Sequence, residues 1–521
     1  MLARLLHPFR HWWLCITGTR CAWRWSAMLM LYLAASVAVM DLRYLPPTSA
    51  TSETAAPVEQ VDISLLPDQL SQEDAARYQI IYTAQQRGDF DAADNAIAQL
   101  ENSRLLGNVL AARYLDSRYH ADTAEIKAWL ARYADHPEVA AITQLAIREG
   151  MDVRVAAADE PLRGEGYTDH LGRASMPDVW YTALSLWREG NAAQAQPLFE
   201  QIGQNDSLSE WHRAAGYYWA YRSATRAGET SDAKHNLALA ANYPTTFYGQ
   251  LAGDHLDAPA LTANAPEVRD HLRGDQRSIR AALLAQLGRT EDAENELRHL
   301  YSDLPRAQRP GVVTLASELG LANLQVRMAR MPQLSRAEAL FASYPMPPVI
   351  VGESAIADPA LLLAIARNES SFRQAVTSSG GAVGMMQMLP STARAVEQRV
   401  GGLALASADA DTGLIADRLT DPATSVRYAA HYLNILKSKP IVGNNLVRLL
   451  AAYNAGPGAV LGWQAAAQTV EDPLLYIESI PYAETRNYVK QVMAQYWIYQ
   501  QIRDQAPASR SAITQGKWPT V

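Results

Sequence analysis

The sequence predicts an all-α protein with more than one domain. Its 521 residues are too many for one compact core, and 48% hydrophobic with 19% charged residues is ordinary for a globular protein. Alanine is abundant, glycine and proline are scattered, and runs of alternating β-branched residues are scarce, which favours helices. The same composition excludes collagen-like, disordered and multi-span membrane proteins.

Residues 1–47 are predicted to be an export signal. Several arginines precede an uncharged, mostly apolar stretch at residues 25–40, and Asp41 and Arg43 follow it. This length falls between a signal-peptide core and a membrane-spanning helix, so a cleaved signal peptide and an inner-membrane signal anchor are both open. Positive charge on the amino-terminal side places the rest of the chain outside the cytoplasm in either case.

The predicted exported part offers no motif for thiol or metal chemistry. Both cysteines, Cys15 and Cys21, lie in the leader, so a disulfide or a cysteine nucleophile is not expected beyond it. Asp409, Asp411 and Gly413 resemble a calcium loop, but the glycine falls one residue early and the closing acidic residue is missing. The sequence therefore predicts neither a metal site nor a cofactor.

Residues 48–349 are predicted to form stacked helical hairpins, with an arm over 48–240 and a helical linker region over 241–349. A helix ends at glycine, a short polar turn follows, and an alanine five residues after the glycine lies in the next helix. The pairs are Gly88 and Ala93, Gly190 and Ala195, Gly228 and Ala233, and Gly288 and Ala293. Glycine provides the left-handed cap, and alanine lets the second helix pack closely. The irregular spacing makes this a degenerate superhelix resembling tetratricopeptide arrays.

Charge is shared unevenly along the chain. Residues 48–349 hold a net charge of about −13, whereas residues 350–505 carry 12 basic and 13 acidic side chains. Phosphate binding requires a basic footprint, which neither part has. Nucleic acid is therefore excluded as a partner.

One apolar helix is predicted to deliver a single carboxylate. Asp358 and Pro359 form a helix start, apolar residues follow, and Glu369 stands where the chain turns polar. A glutamate in that position is partly desolvated, which raises its pKa and lets it donate a proton near neutral pH. No Asp or Glu occurs from Ser370 to Val396, so the chemistry lacks a sequence-adjacent carboxylate partner.

Four motifs in this region together resemble the soluble lytic transglycosylases of family 1, exported lyases that cut bacterial peptidoglycan with a lysozyme-like domain. In chain order the motifs are Glu369-Ser370, Gly384-Met385-Met386-Gln387, Ala452-Tyr453-Asn454-Ala455-Gly456 and Glu484-Thr485-Arg486-Asn487-Tyr488. Residues 241–256 also resemble the connecting region of the large members. The resemblance implies a lysozyme-like, mostly helical catalytic domain over 350–505, a C-terminal tail over 506–521 and a periplasmic location.

The family's reaction needs one glutamate. The resemblance implies that Glu369 cleaves the β-1,4 bond between N-acetylmuramic acid and N-acetylglucosamine, first as acid and then as base, and leaves a 1,6-anhydro end. Peptidoglycan glycan strands are the implied partner. The candidate substrate-binding residues are Ser370, Gly384, Met386, Gln387, Tyr453, Asn454, Glu478 and Tyr488.

Two other functions stay open at this point. A hydrolase similar to goose-type lysozyme would need a carboxylate that positions water, and acidic residues reappear only from Glu397 onward. A non-catalytic wall-binding scaffold would place the function in the helical arm. The products formed from purified glycan strands distinguish the three.

Overall fold

A computed structural model describes residues 69–153, 175–352, 356–400, 412–467 and 471–521. The predicted all-α class is confirmed, since the regular elements of these residues are helices, supplemented by isolated β-bridges. Within the described ranges, no helix combines the length and apolarity needed to cross a membrane. The predicted signal segment and the calcium-like Asp409 and Asp411 lie outside these ranges.

The part before residue 350 is a succession of short helices. They are α1 Gln72–Arg87, α2 Phe90–Ile97, α3 Leu106–Tyr114, α4 Thr123–Arg132, α5 Val139–Arg148, α6 Asp178–Arg188, α7 Ala192–Gln204, α8 Glu210–Ala227, α9 Thr230–Ala241, α10 Phe247–His255, α11 Asp270–Arg273, α12 Gln276–Gln286, α13 Thr290–Asp303, α14 Gly311–Glu318, α15 Ala322–Met328, α16 Arg336–Ser343 and α17 Pro348–Val351.

The predicted hairpins are present at the predicted glycines. The four glycines have φ values between 72° and 90°, and they separate α1 from α2, α6 from α7, α8 from α9 and α12 from α13. The four paired alanines are buried, three of them completely. Each hairpin therefore closes as the sequence predicts, because glycine reverses the chain and alanine leaves room for the neighbouring helix.

The remaining helices form the predicted catalytic part and the segment after it. They are α18 Pro359–Ser370, α19 Pro390–Val400, α20 Thr412–Leu419, α21 Pro422–Lys437, α22 Leu446–Ala455, α23 Pro457–Ala467, α24 Pro473–Ser479, α25 Ala483–Ile502 and α26 Ala508–Thr514. The helix α25 is buried along most of its length and packs on α18 and α22.

The hydrophobic core continues across the predicted boundary at residue 350. One cluster of buried side chains includes residues of α6–α10 in the arm and linker as well as residues of α18–α25. Phe247 of α10 stacks on Trp497 of α25 with ring centroids 5.1 Å apart, and both side chains are completely buried. Burial of a side chain of this size contributes about 3 kcal/mol, so the two parts stabilise each other.

The segment predicted as a C-terminal tail is folded against the rest of the protein. The Trp497 indole donates to Ser509 Oγ at 2.9 Å, and Arg510 pairs with Asp254 of α10 at 2.9 Å. Thr520 forms an antiparallel bridge with Asn445, just before α22. Residues 506–521 therefore help to join α10 to the catalytic part.

Candidate active site

Helix α18 carries Glu369 to the site and is fixed at both ends. Asp358 caps the start, where its Oδ1 accepts from the Ala360 N–H at 2.9 Å and its Oδ2 accepts from the Tyr496 hydroxyl at 2.6 Å. The helix is buried from Pro359 to Arg367. It ends at Ser371 in the left-handed conformation, so Glu369 occupies the last turn.

Glu369 is half-buried. Burial raises its pKa to about 8, the nearby Tyr488 hydroxyl offsets part of this rise, and the negative charge of Glu484 adds to it. A carboxyl with this pKa holds its proton at neutral pH. At neutral pH the Glu369 carboxyl can therefore donate a proton.

Two tyrosines from different helices approach Glu369. Tyr453 of α22 donates its hydroxyl to the Met386 carbonyl at 2.9 Å, and its pKa is raised by burial and by the charge of Glu369. Tyr488 of α25 is buried, and its hydroxyl has no partner at standard hydrogen-bond distance among the described residues. Burial and the Glu369 charge also raise the pKa of Tyr488, so both tyrosines stay protonated beside the carboxyl.

The loop after α18 is tied to the end of that helix. Ser370 Oγ donates to the Met385 carbonyl at 2.8 Å, and the Met386 N–H donates to Ser425 Oγ of α21 at 3.2 Å. Val383 and Met388 exchange backbone hydrogen bonds of 2.9 and 3.1 Å, which closes a tight turn between them. The loop is thereby held over Glu369 from two helices.

Gly384 is required by the protein itself. Its φ is 81°, and a Cβ added there would lie 1.9 Å from the Leu419 carbonyl oxygen. The glycine, which is predicted as a substrate-binding residue, therefore permits close approach of the end of α20. A side chain at this position would displace the loop that carries Gln387.

Gln387 and Asn454 lie at the accessible edge of the site. Gln387 has φ 46°, and its Nε2 donates to the carbonyls of Val376 and Gly384 at 3.2 and 2.9 Å. Asn454 Oδ1 accepts from Thr485 Oγ1 at 2.7 Å, which links α22 to α25. Glu369, Gln387, Tyr453 and Asn454 are the partly exposed members of the predicted site.

The other predicted site residues are buried. Four of them lie beneath the partly exposed residues and support the site: Ser370, Gly384, Met386 and Tyr488. The structure does not show Glu478 in contact with these four residues. The Glu478 side chain is completely buried, and its Oε1 accepts from Tyr248 of α10 and from Lys490 of α25, each at 2.7 Å. The contacts that Glu478 makes here are with the protein.

Sequence reasoning left several contributors unassigned. Ser425 and Tyr432 lie outside the four motifs, yet Ser425 Oγ accepts from the Met386 amide and Tyr432 packs on Tyr453 with ring centroids 5.7 Å apart. Glu397, the first acidic residue after the loop, accepts from the Tyr428 hydroxyl and pairs with Arg418 at 2.9 Å. Pairing across helices gives no local sequence signal.

Comparison with known proteins agrees with this geometry. Residues 352–475 match the family described as transglycosylase SLT domain, and residues 479–508 match the soluble lytic transglycosylase helical domain. The soluble lytic murein transglycosylase of Escherichia coli strain K12 is 35% identical over 155 residues, which are 30% of this chain and 22% of that protein. The endo-type membrane-bound lytic murein transglycosylase A of Klebsiella pneumoniae is 36% identical over 110 residues, 20% of this chain and 50% of that protein.

A solved structure extends the likeness to the whole fold. The 70 kDa soluble lytic transglycosylase of Escherichia coli superposes with a TM-score of 0.54 at 16% identity, over 84% of this chain and 97% of that chain. The sequence matches thus cover the last third of the chain, whereas the fold match includes the helical arm. Residues 352–475 therefore belong to the transglycosylase SLT domain family, within a chain that has the fold of a soluble lytic transglycosylase.

Proposed function

We propose that this protein is a lytic transglycosylase that cleaves the β-1,4 bond between N-acetylmuramic acid and N-acetylglucosamine in peptidoglycan. The observation that carries the proposal is the half-buried Glu369, whose pKa is raised by burial to about 8, within the residues that match the transglycosylase SLT domain. A protonated carboxyl can donate to a glycosidic oxygen at neutral pH.

The proposed first step breaks the glycosidic bond. Glu369 gives its proton to the bridging oxygen, and the N-acetylglucosamine leaves as an alcohol. The 2-acetamido group of the N-acetylmuramic acid stabilises the cation at its C1. The Tyr488 hydroxyl lowers the pKa of Glu369, and it is placed to stabilise the negative charge that Glu369 acquires in this step.

The proposed second step closes a ring. The Glu369 carboxylate takes the proton of the 6-hydroxyl of the same sugar while that oxygen bonds to C1, which yields the 1,6-anhydro product. The proton lost in the first step is recovered in the second, and no water is consumed. One carboxylate can therefore serve both steps.

The surroundings of Glu369 favour this route over hydrolysis. Retaining and inverting hydrolases place a second carboxylate across the reacting bond. Among the described residues, the acidic group whose charge raises the pKa of Glu369 is Glu484, which is exposed on the first turn of α25. Glu397 is engaged by Tyr428 and Arg418.

The predicted substrate-binding residues form two groups, one partly exposed and one buried. Gln387, Tyr453 and Asn454 reach the surface around Glu369, and they would contact the sugars directly. Ser370, Gly384, Met386 and Tyr488 would shape the site by holding the loop and the helices in place.

The location follows from the substrate. We place the protein in the periplasm, with residues 1–47 acting as a cleaved signal peptide or as an inner-membrane anchor. The amino-terminal residue of the protein recovered from cells distinguishes the two, because an anchored protein retains the apolar stretch of residues 25–40.

Product analysis tests the proposal. Purified glycan strands are digested, and the ends of the fragments are identified by mass. The proposal requires anhydro ends from the native protein and no cleavage by Glu369→Gln, whose amide fills the same space but has no acidic proton. Reducing ends would indicate a hydrolase, and absence of cleavage by the native protein would indicate a wall-binding scaffold.

A further inference from the structure

The turn after Glu369 holds a backbone conformation that requires support. Ser371 and Phe372 have φ values of 52° and 65°, so two consecutive residues with side chains adopt the left-handed conformation. This conformation costs L-residues free energy and persists when the surroundings enforce it. Phe372 is also buried, which resists relaxation of the turn.

Part of the support comes from outside the catalytic part. Asn323, the second residue of α15, donates from Nδ2 to the Ser371 carbonyl at 2.8 Å. Thr290, the first residue of α13, donates its hydroxyl to Gln374 Oε1 at 3.0 Å. Both residues belong to the helical linker region, and both hydrogen bonds end within five residues of Glu369.

The two donors are presented by the hairpin turns of the superhelix. Thr290 follows Gly288, whose φ is 72°, and Asn323 follows Gly320, whose φ is 68°. The turns, Phe372 and Gln374 line a cavity of about 340 Å³. Asn323 and Thr290 therefore lie at the wall of this cavity.

We propose that Asn323, assisted by Thr290, is a positioning residue: by bonding the turn after α18, the helical linker region keeps Glu369 in its half-buried place. The inference rests on the proposed function, since it assigns these residues an effect on the catalytic acid. It also gives the superhelix a direct role in the chemistry.

Loss of these bonds has a consequence for acid strength. If the turn relaxes, Phe372 leaves its pocket and the last turn of α18 frays, which exposes the Glu369 carboxyl to water. The titratable groups that face this carboxyl are Tyr488 and Glu484 of α25 and Tyr453 of α22, and they are not changed. Since burial is the main cause of the raised pKa, exposure lowers it toward that of an ordinary glutamate.

The test uses the full chain with Asn323→Ala and Thr290→Val. Alanine keeps the propensity of α15 for helix, and valine keeps the shape of threonine without its hydroxyl. The matched control is Asn434→Ala, because Asn434 of α21 likewise donates from Nδ2 to a backbone carbonyl, that of Ile356, at 2.9 Å. The readouts are kcat and KM for release of anhydro ends against pH, together with the thermal midpoint.

We expect Asn323→Ala to move the basic limb of the kcat profile down by about one pH unit, with little change in KM, so that kcat falls roughly twofold at pH 7 and close to tenfold at about pH 9. Thr290→Val should shift the limb in the same direction by less, and Asn434→Ala should leave both kcat and the limb unchanged.

Three outcomes overturn the inference. Unchanged kcat and pH limb in both variants, with anhydro ends released by the native protein, refute it and leave the proposed function intact. A loss of kcat with an unmoved limb assigns Asn323 a purely structural role. Absence of anhydro ends from the native protein removes the proposed function, and the inference falls with it.

Discussion

The buried acid at the centre of the site should cost the protein stability, and Glu369→Gln should recover it. Glutamine has the shape of glutamate but no charge to desolvate. Between the ordinary glutamate pKa of 4.5 and the folded value of about 8, the unfolded chain releases the proton that the folded protein keeps. Stability therefore falls as pH rises through this window, by about 1.4 kcal/mol per pH unit.

The size of this loss of stability follows from the interval between the two pKa values. The full cost approaches about 5 kcal/mol above pH 8 and is under about 1 kcal/mol at pH 5. Because Glu369 is only half-buried, solvent reduces these free energies. We expect Glu369→Gln to gain about 2 to 3 kcal/mol of stability relative to the native protein on going from pH 5 to pH 8.

Urea unfolding at the two pH values measures this gain through tryptophan fluorescence, since Trp219 and Trp497 are completely buried. Glu149→Gln, at an exposed glutamate following α5, is the control and should gain nothing at either pH. An advantage of Glu369→Gln that is the same at pH 5 and pH 8 would refute the raised pKa.

Three further predictions concern the support of the site and its chemistry. Gly384→Ala should destabilise the protein by about 3 kcal/mol or more and abolish activity. The control Gly381→Ala, at a similar φ of 80° but with open space around it, should lose far less stability and activity. Equal losses in the two variants would show that the Leu419 contact is unimportant. Glu478→Gln should cost about 3 kcal/mol of stability because it leaves the buried Lys490 without its carboxylate partner. The double variant Glu478→Gln with Lys490→Met should recover much of this stability. If urea unfolding shows no recovery, the pairing is refuted. A chelator should leave the initial rate on glycan strands unchanged at every pH, because the proposed steps draw only on Glu369 and the substrate; a loss that added zinc or calcium restores would contradict the mechanism.

Local chemistry made much of the fold predictable. Gly88, Gly190, Gly228 and Gly288 all adopt the left-handed conformation because a helix ending at glycine needs few contacts beyond its own last turn. The start of α18 at Asp358 was predictable for the same reason, since the cap bonds the helix it begins.

Contacts between distant segments were not predictable in this way. The hydrogen bond from Asn323 to Ser371 joins residues 48 positions apart. The hydrophobic periodicity of the sequence does not predict such a contact. Glu478 is predicted as a substrate-binding residue, yet its partner Tyr248 lies 230 positions away, on α10. The polar stretch 506–521 reads as a tail because the contacts of Arg510 and Ser509 depend on the folded surface of α10 and α25.

In the proposed mechanism, Glu369 takes the proton of the sugar's own 6-hydroxyl, and that oxygen, rather than water, bonds to C1. Digestion of purified glycan strands in water enriched in oxygen-18 measures this directly, because each cut by a hydrolase adds one labelled oxygen to the new end. The proposed mechanism yields anhydro ends that carry no label at any stage of the digestion. Labelled reducing ends formed from the first turnovers would contradict it.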